Sequence, residues 1–238
     1  DFNNKSGDFF FLPSSDGFSL SKLVTNLATE RLPLAYGFNP VSDIQIICPS
    51  RLYETGTVNL NNILQSRLNP ESSEKAEIIN KGVTFRVGDK VMQTKNNYNI
   101  VFESDRGENG MGIFNGDVGF ITEIDRISKS VKVRYDDKTA SYLPDEVSEL
   151  ELAYAITTHK SQGSEYSTVI IPIRMSQYIM LKRNLIYTAI TRAKKKVILV
   201  GEKRALMAAI HKNESGKRNS LLGERIKQYA EKYPEIIK

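Results

Sequence analysis

The chain has 238 residues and a net charge of +5, with 40% hydrophobic and 26% charged residues, which describes an ordinary soluble protein of one large domain or two smaller ones. No window reaches the about 18 uninterrupted apolar residues of a membrane span, and the N-terminus lacks the segments of a signal peptide, so we expect no membrane anchor and a cytoplasmic location. A single cysteine excludes an internal disulfide and favours a reducing compartment.

The first 82 residues alternate between short apolar runs and stretches with helical spacing. In chain order we predict strand FFFL (9–12), helix SLSKLVTNLATERL (19–32), strand DIQIICP (43–49) and helix VNLNNILQSRL (58–68). Ser19 is the candidate N-cap of the first helix. Cys48 lies inside the second strand and is expected to be a core residue, not a nucleophile. This order of elements predicts a wound α/β sheet.

Between about residues 82 and 149 the pattern changes to alternation of apolar and polar residues with period two. The alternating runs, separated by glycine and asparagine turns, are VTFRVGDKVMQTK, DVGFITEID and SVKVRYDD. They predict a small antiparallel sheet or barrel. The polar, glycine-rich piece ESDRGENGMG (103–112) is expected to be a mobile hairpin tip. Tyr98, Phe102 and Phe114 could stack on bases, although aromatic residues in a small barrel are more often core.

The α/β pattern returns at Leu150. We predict strand LELAYAIT (150–157), strand STVIIPI (167–173), helix QYIMLKRNLIYTAITRA (177–193), strand KVILVG (196–201) and two final helices near 202–212 and 220–233. The alternating segment, 83–149, is therefore an insertion within one α/β domain made of residues 1–82 and 150–238. From Arg174 to Arg218 the chain carries twelve Lys or Arg against two Glu. This predicts a positive face, either a solvated helical surface or a surface for phosphates.

The stretch THKSQGSE (158–165) follows a predicted strand directly. Backbone N–H groups exposed at such a position favour anions. Thr158 and Ser161 can donate hydrogen bonds, Lys160 brings a positive charge, and Gly163 permits close backbone approach. Contact with a phosphate is chemically plausible here, and a capped turn with a surface lysine is the alternative.

Arg192 lies near the end of a predicted helix, just before Lys194, Lys195 and Lys196. Cations are favourable at a helix C-terminus, and for the lysines we favour that interpretation together with solvation. Arg192 differs because a guanidinium at a domain edge can stabilise charge on a transferring phosphoryl group, with a forked geometry that lysine cannot copy.

These two stretches together resemble a known family. AYAITTHKSQGSEYSTVIIP resembles motif V, and NLIYTAITRAKKKVILVG resembles motif VI, of RecD-like superfamily 1 DNA helicases, which move 5′ to 3′ and include the exodeoxyribonuclease V alpha subunit. The likeness extends to DIQIICPSR, LNNILQSRLNP, FRVGDKVMQTKNNYN and FNGDVGFI, and so covers about residues 9 to 206. Both motifs in order, following the β insertion, make the resemblance specific.

The resemblance implies that the α/β part is the second RecA-like motor domain, with a parallel sheet, and that the insertion is SH3-like. Arg192 would be the arginine finger, and Arg51 is implied as the motif IV arginine facing the γ-phosphate of ATP. Nucleotide contacts are implied for Gln162, Gly163 and Glu165. Contacts with single-stranded DNA, or support for them, are implied for Thr158, His159, Lys160 and Ser161. His159 could instead be a packed structural histidine.

The sequence contains no glycine-rich loop ending in Gly-Lys-Ser/Thr, which this machinery needs for the phosphates of ATP. We therefore expect ATP and Mg²⁺ to be bound mainly by a first motor domain of the same protein, with no metal site here, and this chain alone to be inactive. Expected partners are single-stranded DNA, that first motor domain and, in some contexts, other exonuclease V subunits. Two alternatives are a non-catalytic docking module with a RecA-like shape and the helicase region of a conjugative relaxase.

Overall fold

A computed structural model describes residues 7–212 and 221–233 of the chain. The outermost parts of the predicted α/β domain, residues 1–6 and 234–238, lie outside the described residues. The same holds for residues 213–220, which include the last two cations of the basic stretch, Lys217 and Arg218.

A five-stranded parallel sheet forms the centre of the α/β domain, and its strand order is β1-β14-β13-β2-β12. The strands are β1 (Phe9–Pro13), β2 (Ile44–Cys48), β12 (Ala155–Thr157), β13 (Tyr166–Ile173) and β14 (Ala193–Gly201). Every residue of β2 is buried, as a strand covered on both faces requires. The predicted wound α/β sheet is therefore confirmed, and so is the core position of Cys48.

Helices cover both faces of this sheet. On one face α1 (Gly17–Asn26) and α3 (Thr57–Leu68) pack against β2, β13 and β14 through Leu20, Val24, Leu60 and Leu64. On the other face α4 (Arg183–Ile190) and α5 (Lys203–His211) pack through Leu185, Ile186, Ala205 and Ala209. The last helix, α6 (Leu222–Lys232), has no buried residue. Helices near the two predicted C-terminal positions are thus present.

The first helix begins earlier than predicted. Asp16, not Ser19, is its N-cap, because the Asp16 side chain accepts a hydrogen bond of 2.7 Å from the Ser19 backbone N–H. A π-helical turn (Leu27–Arg31) follows α1 and leads into the short α2 (Leu32–Tyr36).

The helix predicted over residues 177–193 is wrong at both ends. Its helical part is α4, Arg183–Ile190, and a 3₁₀ turn at Met175–Gln177 precedes it. The buried Leu181 N–H bonds to the carbonyls of Gln177 and Tyr178, so this region folds as successive tight turns. Of the apolar side chains at 178–181 only Leu181 is buried, and Ile179 is 80% exposed, so their spacing does not mark the buried face of a helix.

The second unit is a seven-stranded antiparallel sheet with order β11-β5-β8-β9-β10-β6-β7, accompanied by a β3–β4 hairpin. Its strands are β3 (Glu77–Asn80), β4 (Val83–Arg86), β5 (Lys90–Gln93), β6 (Asn97–Ser104), β7 (Asn109–Ile113), β8 (Val118–Ile124), β9 (Val131–Arg134), β10 (Lys138–Tyr142) and β11 (Leu150–Leu152). A short 3₁₀ turn, Glu146–Glu149, precedes β11. The predicted antiparallel module is confirmed, and so is the hairpin at 103–112, which contains the ends of β6 and β7. Tyr98 and Phe114 are exposed, with ring centroids 5.7 Å apart, and not core as aromatic residues in small barrels usually are.

The predicted strand LELAYAIT is in fact two strands in two different sheets. β11 pairs with β5 in the module, and β12 pairs with β2 in the parallel sheet. Asn61 satisfies the backbone at this break, since its amide donates to the Leu152 and Ala155 carbonyls and its oxygen accepts from the Ala155 N–H. The predicted boundary between residues 149 and 150 therefore assigns β11 to the motor domain, although β11 pairs within the module's sheet.

A buried polar junction joins the module to the motor domain. Lys90 of β5 is 4% exposed, and its Nζ donates to the Val41 carbonyl at 2.7 Å and to Gln45 Oε1 at 3.0 Å. Burial lowers the pKa of Lys90 to about 8. The Gln45 amide in turn donates to the carbonyls of Ala153 and Tyr154, between β11 and β12. The module is therefore held in a defined orientation at the strand that leads into residues 158–165.

Candidate functional site

Residues 158–165 connect two opposite edges of the parallel sheet. The segment leaves β12 at Thr157, which pairs with Cys48, and enters β13 at Tyr166, two residues before the Thr168 pairing with Ile44. Because the strands are parallel, the segment returns about 20 Å along the strand direction. We call the side where β2 and β12 end the carboxyl edge, and the side where β13 and β14 begin the amino edge.

Successive tight turns give this segment its shape. The Ser161 N–H donates to the Thr157 carbonyl at 3.1 Å, and the Ser164 N–H donates to the Ser161 carbonyl at 3.2 Å. Gly163 has φ +84°, and a Cβ there would meet no atom within 4 Å. Glycine is therefore favoured at this position by backbone conformation and not by lack of space.

Two of the hydroxyl groups predicted at the DNA site point into the protein. Thr158 is 3% exposed, and its N–H donates to the Cys48 carbonyl at 3.1 Å. Ser161 is fully buried, and its Oγ donates to the Thr158 carbonyl at 2.8 Å. Thr158 anchors the turn to the end of β2, and Ser161 closes the turn through its bonds to Thr157 and Thr158. Thr158 and Ser161 can support a ligand contact from inside the turn, but the Ser161 hydroxyl already donates its hydrogen bond to the Thr158 carbonyl.

The other residues of the segment face outward. His159, Gln162, Gly163 and Glu165 are exposed, which does not fit a packed structural histidine at position 159. A cleft of about 390 Å³ separates the segment from α4; from the segment it is lined by Thr158, His159 and Gln162.

Arg192 lies at the amino edge, between the end of α4 and the start of β14. Its guanidinium donates to the carbonyls of Thr188 and Ser164, each at 3.2 Å, and to Thr191 Oγ1 at 3.3 Å. The Arg192 carbonyl accepts from the Tyr166 N–H at 2.8 Å. These bonds join the two stretches that the sequence singled out. Within the described residues, all the recorded partners of this guanidinium are uncharged oxygens.

Near Arg192, the carboxylate of Glu165 pairs with Lys194 at 3.2 Å. Both side chains are more than half exposed, so solvent screens this pair and it contributes little to stability. The Glu165 carboxylate, just before β13, is therefore paired with Lys194.

Arg51 and Lys160 meet at the carboxyl edge. Arg51 Nη1 lies 3.3 Å from Glu151 Oε1, and Lys160 Nζ donates to Glu151 Oε2 at 2.7 Å. The structure thus groups Arg51 with Lys160 and not with Arg192. Sequence patterns did not indicate Glu151, because it lies in a predicted strand 100 positions from Arg51.

A second ion-pair network at the carboxyl edge was also missed from the sequence. Arg174, just after β13, pairs with Glu54 at 3.1 Å and lies 3.6 Å from Glu202, which also accepts from Arg204 at 2.6 Å. Burial alone would raise the pKa of the Glu202 carboxyl, but the Arg204 hydrogen bond and neighbouring cations hold it below its ordinary value. Cations at this edge are therefore neutralised by carboxylates.

Across residues 7–212 and 221–233, no three His, Cys, Asp or Glu side chains are grouped as metal ligands would be. In the same residues no helix combines the length and the apolar character that crossing a bilayer requires.

Two family models match the chain. Residues 60–135 match the SH3 domain of ATP-dependent RecD-like DNA helicases, and residues 152–200 match the C-terminal domain of UvrD-like helicases. The second match contains the 158–165 segment and Arg192.

Curated relatives show the same similarity. The chain is 34% identical over 186 residues to the ATP-dependent RecD2 DNA helicase of Deinococcus radiodurans, covering 78% of this chain and 24% of that protein. It is 28% identical over 170 residues to the RecBCD enzyme subunit RecD of Mycobacterium tuberculosis, covering 70% of this chain and 26% of that protein. The chain thus spans about a quarter of the length of these relatives.

Among solved structures, the crystal structure of a Bacteroides Pif1 helicase in complex with ADP-AlF3 and single-stranded DNA is similar. The match has a TM-score of 0.46 and 16% identity, and covers 92% of this chain and 55% of that one.

Proposed function

We propose that this chain, which carries the SH3-like domain and the helicase C-terminal domain of a RecD-like superfamily 1 helicase, is the second motor half of an ATP-dependent 5′ to 3′ DNA helicase or translocase. The single observation that carries this proposal is the anchoring of Arg192 to the 158–165 segment through the Ser164 carbonyl. One segment thereby connects a guanidinium at one edge of the sheet to a cationic pair at the other.

At the amino edge, Arg192 is suited to the arginine-finger role. Its hydrogen bonds to Ser164 and Thr188 orient the guanidinium but do not neutralise it, so its charge is available to a phosphoryl group. The exposed Gln162, Gly163 and Glu165 lie on the segment that leads to this edge and are the proposed nucleotide-facing residues. A bound ATP with Mg²⁺ would supply the γ-phosphoryl group for hydrolysis, and we expect the first motor domain to hold most of it.

At the carboxyl edge, Lys160 and Arg51 are the proposed contacts for the backbone of single-stranded DNA. Their side chains converge on one carboxylate, which shows that both can reach a single anion. His159, next to Lys160 in the chain, is exposed and lines the cleft toward α4, while Thr158 and Ser161 hold the turn from inside. The γ-phosphate role implied for Arg51 stays a prediction, and its pairing with Glu151 beside Lys160 supports the DNA-facing role instead.

The partners of the whole protein are proposals as well. The RecD relatives are named as subunits of a complex and the Deinococcus relative as a helicase. Association with other exonuclease V subunits therefore stays a prediction, as does the inactivity of this chain without its first motor domain.

The test is Arg192→Ala in the full-length protein. DNA-stimulated ATP hydrolysis should fall by about 10³-fold or more, while ATP binding stays close to that of the parent, because a finger acts on the transition state. Arg106→Ala, at an exposed arginine between β6 and β7, is the matched control and should hydrolyse ATP normally. A turnover number for Arg192→Ala within a few fold of the control would reject the assignment.

A further inference from the structure

One carboxylate holds both of the cations proposed to contact DNA. Glu151 places Oε1 at 3.3 Å from Arg51 and Oε2 at 2.7 Å from Lys160. The exposed fractions of the three side chains are 39% for Glu151, 57% for Arg51 and 25% for Lys160. All three are therefore within reach of a ligand that arrives from solvent.

The carboxylate occupies the position that a phosphate would take. Arg and Lys side chains bind carboxylate and phosphate oxygens with the same donor groups, and a bridging anion satisfies both cations at once. Exposed ion pairs of this kind are weak, because solvent screens them and their side chains lose entropy on pairing. An incoming phosphate can therefore displace Glu151 at small cost.

Glu151 belongs to the SH3-like module and not to the motor sheet. It lies in β11, opposite Met92 of β5, whereas Lys160 follows β12 and Arg51 follows β2 of the parallel sheet. The ion pairs thus cross from one unit to the other, in addition to the buried junction at Lys90. A shift of β11 relative to β12 would change both pairs together.

We propose that Glu151 is a built-in competitor of the DNA backbone, which occupies the Arg51–Lys160 site when DNA is absent and is displaced by a phosphate when DNA binds. This inference rests on the proposed DNA-facing role of Arg51 and Lys160. It assigns Glu151 the function of limiting DNA affinity, so that the strand can be released in each cycle. Because coupling is reciprocal, DNA binding also loosens the contact between the module and the motor sheet.

The experiment compares Glu151→Gln with the unmodified full-length protein, using fluorescent oligothymidylate as the single-stranded DNA probe. At about 50 mM salt, affinity should rise about two- to tenfold, the range that two exposed ion pairs can supply. Because Arg51 and Lys160 contact phosphate in the DNA complex of both proteins, the slope of log K against log salt should change by less than about 0.7, the value for one phosphate contact, measured up to about 200 mM salt. In the Lys160→Gln background the gain should shrink.

The matched control is Glu123→Gln, which makes the same charge change at an exposed ion pair with Lys132, 2.8 Å long, within the module. The competitor role is overturned if Glu151→Gln binds DNA no more tightly than Glu123→Gln, or more weakly. A thermal midpoint close to that of the parent shows that both variants fold.

Arg51→Gln and Lys160→Gln separate the two proposals. If neither weakens DNA binding, the DNA-facing site itself is rejected, and the competitor role with it. If both weaken binding while Glu151→Gln does not tighten it, only the competitor role is rejected, and the proposed function stands.

Discussion

Arg192 at the amino edge of the parallel sheet and the Arg51–Lys160 pair at its carboxyl edge are held in opposite ways. At the amino edge, Arg192 is anchored by uncharged oxygens, and the nearby Lys90 of the module is buried against the Val41 carbonyl and the Tyr166 ring. At the carboxyl edge, the exposed Arg51 and the partly buried Lys160 share the carboxylate of Glu151. The module reaches both edges, with a buried cation at one and an exposed anion at the other.

This difference suggests a division of tasks. A guanidinium oriented by carbonyls keeps its full charge for a transition state and needs no partner to leave first. Cations paired with a carboxylate give weaker, exchangeable contacts, which suit a strand that must be bound and released repeatedly. Segment 158–165 contacts Arg192 at the amino edge and carries Lys160 at the carboxyl edge. A displacement of the segment at one edge can therefore shift the side chains at the other.

The largest effect on ATP hydrolysis should come from replacing Arg192 with lysine in the full-length protein, compared with the same replacement at Arg51. Arg192→Lys should lower DNA-stimulated ATP hydrolysis by about 10²-fold or more, because lysine cannot reproduce the forked contacts with Ser164 and Thr188. Arg51→Lys should remain within a few fold of the parent, since a lysine can still pair with a single anion. Equal losses in steady-state turnover would remove the distinction between the edges.

The buried cation at the amino edge predicts a pH dependence of stability. The pKa of Lys90 is about 8 in the folded chain and near 10.5 when unfolded, so the unfolded chain binds more protons between these values. Stability should therefore rise with pH in this window, and the penalty is fully present below pH 8. Relative to Lys90→Met, the unfolding free energy should gain on the order of 2 kcal/mol between about pH 7.5 and about pH 9.5.

Denaturant unfolding of both proteins across this pH range is the measurement. Burial raises the pKa of Tyr166, whose ring lies 5.9 Å from Lys90 Nζ, so that ring stays uncharged in the window. A difference between the two proteins that is constant with pH would show that Lys90 is not titrating as a buried amine.

The smallest expected effects distinguish a residue that stabilises the turn at the carboxyl edge, Ser161, from one that contacts DNA there, Lys160. Ser161→Ala should cost about 1 kcal/mol of unfolding free energy, because it removes the buried bond to the Thr158 carbonyl, and should leave the salt dependence of DNA binding unchanged. Lys160→Ala should do the reverse, with stability nearly unchanged and a salt slope reduced by about 0.7. Swapped results would mean that the hydroxyl, and not the lysine, reaches the DNA.

Much of the fold could be predicted from local pattern. The strand at β2 and the helix at α3 match the predicted ranges to within a residue or two, because burial along one element leaves a periodic trace in the sequence. The helix predicted over 177–193 and the single strand over 150–157 were wrong for a related reason. Apolar spacing does not tell a helix from a series of turns, as at the exposed Ile179, or one sheet from two.

Local patterns in the amino-acid sequence were enough to predict the α/β character with an inserted β module, the two motifs and the resemblance to RecD-like helicases, because these depend on neighbouring residues. The three-dimensional fold was needed to show which side chains of 158–165 are buried, that Arg192 and Lys160 lie at opposite edges, and that Glu151 bridges Arg51 and Lys160. Such contacts follow from strand order and register, which bring together residues 100 positions apart and leave no periodic signal in either segment.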